Sequence, residues 1–429
     1  MNRPDPGGPA GRYYGYTIVA SSFVIQGTIV GAIFTYGVFF DALHTELGWS
    51  RALISAGSSL TSLVMGLGAM VFGGLTDATG PRRVLGVAAI TLSLGYLLMS
   101  RMSAPWHLFI AYPALVGVAF GTHDVVTLST VSRWFGRRRG RMSAIVKAGT
   151  GTGQVIGPAA AAVLIATFGW RNAYLWIAAV TGPLVFVAAR FMYRSPADMG
   201  VAHEDPAAEG LTDGSAANPA VVHGDVAQER GETGGMRMLM RRPEFLRVCI
   251  AQASVFFCSP IVIVHSVPYA TDLGIERAVA AGVLSVIGGI SIAGRLVIGS
   301  VIDRLGGRIA LLGCYAVLFL AFILLQFAGN AVMLYVFAVV YGFAHGGAFT
   351  SMSPFVAELF GTRLHGLIYG TIVFVGTFAG ALGPVFAGGV FDLLGTYRPA
   401  FAVMLALMVV ASASIGSIRS HGRGIVQRG

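Results

Sequence analysis

Apolar stretches of about 20 residues follow one another along almost the whole chain, separated by short turns and one polar segment. A helix needs roughly this length to cross the hydrocarbon core of a bilayer. The composition agrees, since 55% of the 429 residues are hydrophobic and only 11% are charged, against about 25% in an average soluble domain. Transmembrane β-strands alternate apolar and polar residues, and a run such as 400–416 does not. The sequence therefore predicts an all-α membrane protein.

The apolar stretches divide the chain into twelve predicted transmembrane helices. Their ranges are 14–40, 52–74, 83–101, 107–132, 140–166, 172–192, 245–270, 278–301, 308–327, 331–357, 366–392 and 399–418. Between the sixth and seventh helices, acidic residues stand among Ala, Gly and Pro in a segment too polar to bury a core of its own. We therefore expect two six-helix bundles, residues 1–193 and 243–429, joined by a flexible cytoplasmic linker over residues 194–242.

Arginines at the helix ends predict the orientation, because short cytoplasmic loops carry an excess of basic residues. The loop between the fourth and fifth helices contains Arg133, Arg137, Arg138, Arg139 and Arg141, whereas loops at the opposite end contain few. This places that loop and both termini in the cytoplasm. The formal charge of +10 does not indicate a nucleic-acid partner, since the basic residues are not gathered on a soluble face. The preference for Arg and the short loops favour a bacterial inner membrane.

An internal repeat relates the two halves of the chain. A shift of 226 residues aligns Gly73, Asp77 and Gly80 with Gly299, Asp303 and Gly306, and Gly140 with Gly366. The chain is thus a duplicated six-helix unit. Parallel halves of this kind are typical of alternating-access transporters, whose substrate site lies between the halves near the middle of the membrane.

The loop after the second helix, residues 73–83, reads GGLTDATGPRR and is echoed at residues 299–308. It resembles the G-x-L-x-D-x-x-G-x-R-R loop of the major facilitator superfamily. Residues 36–40, 48–52, 134–140 and 195–200 are similar to stretches of its monocarboxylate transporter and oxalate/formate antiporter branch. The resemblance implies the twelve-helix major facilitator fold, with two pseudo-symmetric bundles, and a transport function.

The resemblance also implies a conformational role for the repeated loop, since in the superfamily such loops latch the outward-open state and bind no substrate. A carboxylate beside Arg and Gly at a helix end can bond cations or the N-terminus of a neighbouring helix. The expected latch residues are Gly73, Asp77, Gly80, Arg82, Arg83, Gly299, Asp303, Gly306 and Arg308.

Two basic residues lie inside predicted helices. Lys147 follows Gly140 by seven residues and Arg295 precedes Asp303 by eight, which places them about 10 and 12 Å from the cytoplasmic helix ends. An ionisable residue at such a depth costs about 2.5–3.5 kcal/mol by insertion scales and therefore indicates function. Lys147 is also the only lysine of the chain.

Two cations facing one cavity would form a site for a small carboxylate, which a guanidinium group matches in shape. The resemblance agrees for Arg295, since carboxylate carriers of this branch have a substrate-binding Arg on the eighth helix. The alternatives are a structural ion pair for Arg295 and, for Lys147, snorkelling towards the lipid headgroups.

Three titratable residues near mid-membrane are candidates for the coupling proton: His123, Asp124 and His345. Neighbouring residues on a helix point about 100° apart, so only one of His123 and Asp124 faces the cavity squarely. Asp124 is either the proton carrier or a counter-ion of Lys147, and each histidine is either a carrier or a hydrogen-bonded packing residue. Monocarboxylate carriers often have an Asp four residues before the eighth-helix Arg, where this chain has Ser291.

Further side chains are candidates for contact with the substrate, and the aromatic ones are alternatively packing residues. They are Thr122, Gln154, Tyr36, Tyr341 and Phe257.

The sequence has no Walker loop, no strand-associated G-x-G-x-x-G and no metal-ligand spacing, so we expect neither an enzyme nor a cofactor. We predict a monomeric secondary transporter that carries monocarboxylates of the lactate or pyruvate type by symport with protons. One alternative is an organic anion antiporter of the oxalate/formate type, in which two cations hold two carboxylates. A membrane receptor that binds its ligand without transport is the alternative from another class.

Overall fold

The computed structural model describes residues 13–49, 51–200 and 242–418, and the regular elements in these ranges are helices. They are α1 Gly15–Phe34, α2 Tyr36–Leu47, α3 Arg51–Thr79, α4 Pro81–Ser100, α5 Pro105–Ala111, α6 Val118–Trp134, α7 Arg139–Arg190, α8 Pro196–Met199, α9 Pro243–Asp272, α10 Arg277–Leu305, α11 Gly307–Gln326, α12 Ala331–Phe360, α13 His365–Leu394 and α14 Arg398–Gly416. A π-helical segment, Tyr112–Gly117, joins α5 to α6. Most of the predicted linker, residues 201–241, lies outside the described residues.

The predicted helices agree with the observed ones to within a few residues over most of the chain, with two departures in the first half. The first predicted helix is interrupted at Thr35 and continues as α2 to Leu47, beyond the predicted end at residue 40. The fourth contains the π-helical segment, whose second residue is Pro113. A proline has no N–H to donate to the helical ladder, so a local change of hydrogen-bond pattern at this point is expected.

The fifth and sixth predicted helices appear as one element, α7, of 52 residues. Such a length corresponds to about 78 Å, roughly twice what a bilayer requires. Gly169 divides it with a φ of 76° and a ψ of 159°, a conformation that glycine adopts easily and other residues rarely do. The described residues contain eleven helices long and apolar enough to cross a membrane, and because α7 supplies two passages they account for the twelve predicted.

Large apolar side chains cover the outside of the helices. Val385 and Leu393 of α13, for example, are 75% and 85% exposed. Extensive exposed apolar surface marks a region that meets another apolar phase, and here it fits the lipid-facing side of a membrane protein.

Helices α1–α7 pack against helices α9–α14 mainly along two seams, one between α3 and α13 and the other between α7 and α10. The 226-residue repeat relates these seams, because α3 corresponds to α10 and α7 to α13. Glycines allow the close approach. A Cβ atom at Gly73 would overlap the carbonyl oxygen of Gly366, and one at Gly299 would overlap the Cβ of Ala144.

Candidate substrate and proton site

The carboxylate of Asp77 closes one end of the α3–α13 seam. It accepts hydrogen bonds from the backbone N–H groups of Gly366 (3.2 Å) and Leu367 (2.9 Å), in the first turn of α13. It also forms a buried ion pair with Arg133 of α6, whose Nε donates to the carbonyl of Thr362 at 3.1 Å. A carboxylate at a helix N-terminus is favoured by the unpaired N–H groups and by the helix dipole.

Asp303 makes the equivalent contact at the same end of the α7–α10 seam. Its carboxylate accepts from the backbone N–H groups of Gly140 (2.6 Å) and Arg141 (3.1 Å), in the first turn of α7. The Nε atom of Arg141 lies 3.7 Å from the carboxylate, and the Arg141 side chain is 45% exposed. We call the end of the molecule that contains Asp77 and Asp303 the latch end.

About 10–13 Å from the latch end, by the rise of the helices, lies a buried ion pair. The Nζ atom of Lys147 is 2.5 Å from Oδ1 of Asp124, and both side chains are largely buried. Gln26 of α1 donates to the same Oδ1 at 3.0 Å and to the hydroxyl of Thr127 at 2.9 Å. The amide oxygen of Gln26 in turn accepts from the hydroxyl of Thr150. The pair is therefore held by polar groups from α1, α6 and α7.

Tyr369 of α13 brings the other half of the molecule to this cluster. Its hydroxyl donates to Oδ2 of Asp124 at 2.9 Å. A pocket opens beside this bond, and its lining includes Asp124, Tyr369, Gln252 and Tyr315 together with aromatic residues. The hydroxyl of Tyr315 is buried and has no hydrogen-bond partner among the described residues.

Arg295 of α10 reaches the same cluster from the α7–α10 seam. Its Nη1 donates to the backbone carbonyl of Lys147 at 3.2 Å, and the Arg295 side chain is buried. Asp124 lies within electrostatic range of Arg295, but within residues 13–49, 51–200 and 242–418 no carboxylate forms an ion pair with it. Its Nε atom is buried without a partner in the same ranges. The cluster thus contains two cations and one carboxylate.

A family model described as the Major Facilitator Superfamily matches residues 22–384 and, in a second match, residues 270–419. The chain belongs to this superfamily. The matched residues include both carboxylates of the latch end and the whole buried cluster. The superfamily predicted from the repeated loop is therefore confirmed.

The curated relatives include monocarboxylate transporters and an oxalate:formate antiporter, the branch that the sequence motifs indicate. Monocarboxylate transporter 13 of Rattus norvegicus is 27% identical over 417 residues, which cover 96% of this chain and 90% of the relative. The oxalate:formate antiporter of Oxalobacter formigenes is 25% identical over 404 residues, which cover 90% of this chain and 88% of the relative.

Solved structures of the superfamily share the fold. The proton:xylose symporter XylE, bound to 6-bromo-6-deoxy-D-glucose, aligns with a TM-score of 0.72 at 15% identity, covering 94% of this chain and 96% of that one. The transporter FucP in its outward conformation aligns with a TM-score of 0.69 at 13% identity, covering 94% and 99%. The predicted all-α major facilitator fold is thus confirmed. These similar proteins are transporters and not enzymes.

The other predicted latch residues of this superfamily member have varied surroundings. Gly80 and Gly306 both have positive φ angles, 86° and 88°, which glycine tolerates best. Arg308 donates from Nε to the carbonyl of Ile415 at 3.3 Å and so joins α11 to the end of α14. Arg82 lies beside a surface pocket, and Arg83 is exposed. Their part in a latch stays a prediction.

The two histidines named as proton candidates bond within their own halves. Nδ1 of His123 lies 2.5 Å from the carbonyl oxygen of Phe120 on the same helix, and the neighbouring Asp124 is the residue that pairs with Lys147. Nε2 of His345 lies 2.9 Å from the hydroxyl of Ser259.

Among the described residues, none of the remaining candidates forms a hydrogen bond with the side chains of Lys147 or Asp124. Thr122 donates to the carbonyl of Ala119 in its own helix, and Tyr36 donates to the carbonyl of Ile54 and packs against Tyr112. Phe257 packs against Phe386, and Gln154 is partly buried. Tyr341 packs against His345, and its hydroxyl is buried. Contact of these five residues with a substrate stays a prediction.

Sequence reasoning missed Gln26 and Tyr369 as members of the cluster, and it treated Arg133 only as a loop residue. Gln26 offered a signal, since it is an amide inside the apolar first helix. Tyr369 offered a weaker one, because it stands one helical turn before Val373, the repeat position of Lys147.

Proposed function

We propose that this superfamily member transports small monocarboxylates of the lactate or pyruvate type together with protons. The observation that carries the proposal is the cluster of two buried cations and one carboxylate between the two halves. Buried charges are normally paired, so the surplus cation provides a place for an anion from outside. Arg295 is the first contact of that anion, since a guanidinium group offers a carboxylate two parallel hydrogen bonds.

Lys147 becomes the second contact when Asp124 takes up a proton. A neutral Asp124 no longer neutralises Lys147, and the substrate carboxylate replaces it as the counter-ion. The cluster then has the same net charge in the empty state and in the state loaded with one anion and one proton. This arrangement supports symport without net charge movement, because moving a net charge across the membrane potential costs about 2.3 kcal/mol per 100 mV.

An exchanger of organic anions is the second candidate function. The two cations of the cluster could hold the two carboxylates of a dicarboxylate, and one relative is an oxalate:formate antiporter. In this case Asp124 serves only as the resting counter-ion of Lys147, and transport needs no proton.

We further propose that the latch end faces the cytoplasm, as the arginine distribution predicts, and that the chain works as a monomer in a bacterial inner membrane. In this arrangement residues 1–193 and 243–429 act as the two moving bundles, and residues 194–242 join them.

Uptake of labelled L-lactate into proteoliposomes tests the function. We expect accumulation when the outside is more acidic than the inside, loss of accumulation when an ionophore collapses the gradient, and competition by pyruvate. Liposomes without protein provide the control. Uptake only by exchange against an internal anion, with no response to pH, would favour the antiporter. Binding of lactate without any uptake would contradict both transport functions.

A further inference from the structure

Helix α13 makes hydrogen bonds to the first half of the molecule at two depths along the α3–α13 seam. We call the bonds at the latch end the outer tie of the seam and the bond deeper in the molecule the inner tie. At the latch end, Asp77 accepts from the N–H groups of Gly366 and Leu367. Three residues after Gly366, the hydroxyl of Tyr369 donates to Oδ2 of Asp124 at 2.9 Å. Both acceptors are carboxylates, so both ties depend on a charge in the first half.

The α7–α10 seam has the same outer tie but a different inner one. Asp303 accepts from the first turn of α7, as Asp77 does on α13. The inner bond, however, runs from the guanidinium of Arg295 to the peptide carbonyl of Lys147. Neither partner changes its protonation near neutral pH, so of the two inner ties only that of the α3–α13 seam, through Asp124, contains a group able to respond to a proton.

Several groups face Asp124, but they differ in the half to which they belong. Lys147 and Gln26 contact it from the first half, and His123 lies within electrostatic range on its own helix. From the second half, Arg295 is within electrostatic range, and Tyr369 makes the direct hydrogen bond. Among the described residues, Tyr369 is therefore the second-half side chain that bonds the Asp124 carboxylate directly.

His345 on α12 is a further titratable group of the second half near the cluster. It lies within electrostatic range of Arg295 and Lys147, and its Nε2 is occupied by the hydroxyl of Ser259. Within the ranges that the structure describes, it forms no hydrogen bond or ion pair with Asp124 and so does not share the Tyr369 bond.

The repeat supports a specific role for Tyr369. The position 226 residues earlier is Ser143, whose hydroxyl is buried and has no hydrogen-bond partner in the described part of the chain. The shared scaffold thus accepts a short side chain here. The long hydroxyl-bearing side chain of Tyr369 is a feature of the second half alone.

We propose that Tyr369 is the positioning residue that couples protonation of Asp124 to opening of the α3–α13 seam. This inference rests on the proposed proton-coupled function. When Asp124 is ionised, it accepts a charge-assisted hydrogen bond, which is stronger than a neutral one, and holds α13 against α6. When Asp124 takes up a proton, the bond weakens, and the latch end opens with the substrate bound. Loss of the proton restores the bond and closes the seam.

The test compares Tyr369→Phe with Tyr174→Phe. Tyr174 is a matched control, since it is a buried tyrosine of the first half whose hydroxyl has no hydrogen-bond partner among the described residues. The assays are exchange of labelled against unlabelled lactate, accumulation driven by a pH gradient, and competition by pyruvate. We expect Tyr369→Phe to lower accumulation about tenfold, the effect expected of a hydrogen bond to a charged group, and to lower exchange and pyruvate affinity much less than accumulation. Tyr174→Phe should match the wild type.

A second measurement needs no substrate. Spin labels on cysteines introduced at Thr79 and Arg363, in a background lacking the three native cysteines, report the distance across the latch end. We expect this distance to increase as the pH falls, and Tyr369→Phe to remove most of that dependence by favouring the open distance at every pH.

Three outcomes separate the possible failures. Wild-type-like accumulation and pH response in Tyr369→Phe would overturn the inference while leaving the proposed function intact. An equal loss of exchange, affinity and accumulation would also overturn it, because it would indicate a merely structural role. No lactate exchange by the wild type would overturn the proposed function, and the spin-label distances would then decide the role of Tyr369 separately.

Discussion

The two seams are built from copies of one loop, yet they bind the halves together differently. At the α3–α13 seam, Asp77 is paired with Arg133, and both side chains are 5% exposed. At the α7–α10 seam, Asp303 lies 3.7 Å from Arg141, whose side chain is 45% exposed. The residue that corresponds to Arg133 in the second half is Leu359, so the repeat does not supply an equivalent buried partner.

The inner contacts of the two seams also differ in the charged group that each contains. The α3–α13 seam carries the carboxylate of Asp124 bonded to Tyr369, whereas the α7–α10 seam carries the guanidinium of Arg295. In the proposed cycle the first seam responds to the proton and the second to the anion. The repeat accounts for the shared outer contacts, and the different inner contacts come from residues that the two copies do not share.

Replacing Arg295 should have the largest effect on lactate transport. It removes the cation of the α7–α10 seam that lacks an acidic partner among the described residues. For Arg295→Gln we expect lactate exchange to fall at least about 100-fold, in line with the loss of a buried charged contact. Exchange in proteoliposomes measures it. Arg304→Gln, an exposed position on the same helix, is the matched control and should retain exchange. Normal transport by Arg295→Gln would refute the anion site.

Neutralising the two latch carboxylates should show unequal effects on stability. Asp77→Asn leaves the buried guanidinium of Arg133 with a neutral partner, and breaking a buried pair costs about 3–5 kcal/mol. Asp303→Asn weakens a contact with a half-exposed arginine, worth about 0–1 kcal/mol. We therefore expect the larger drop of the thermal unfolding temperature in detergent for Asp77→Asn. Asp272→Asn, at an exposed position, serves as the reference, and equal drops for both latch variants would show that the seams are equivalent.

Changing His345 should have the smallest effect, because this histidine bonds Ser259 within the second half and belongs to neither seam. For His345→Gln we expect lactate exchange within about fivefold of the wild type, as for the loss of one neutral hydrogen bond, and an unchanged pH dependence. Asp124→Asn is the contrasting variant, and it should abolish the pH dependence of lactate exchange because it removes the carboxylate proposed to take up the proton. A shifted pH profile in His345→Gln would move the proton site from the α3–α13 seam to α12.

Sequence alone was sufficient for most of the helices, because the hydropathy of a membrane-spanning segment and its bounding charges are local properties; it did not predict the interruption at Thr35 or the π-helical segment at Tyr112–Gly117. It also singled out Lys147, Arg295 and Asp124 as a set, since each is costly inside a membrane. It left open whether Asp124 faces Lys147, and it assigned no role to Tyr369. A tyrosine or an amide in an apolar helix is common enough that its type alone does not predict a contact.

The sequence by itself determined the all-helical membrane fold, the duplication, the repeated loop that contains Asp77 and Asp303, and the positions of the intramembrane charges. Only the tertiary structure decided that Lys147 pairs with Asp124, that Tyr369 reaches the same carboxylate from the other half, and that Arg295 meets a backbone carbonyl instead of an acid. The physical reason is that a hydrogen bond requires two groups to meet within about 3 Å. The rotation and crossing of the helices set that distance, and they depend on packing along the whole length of each seam.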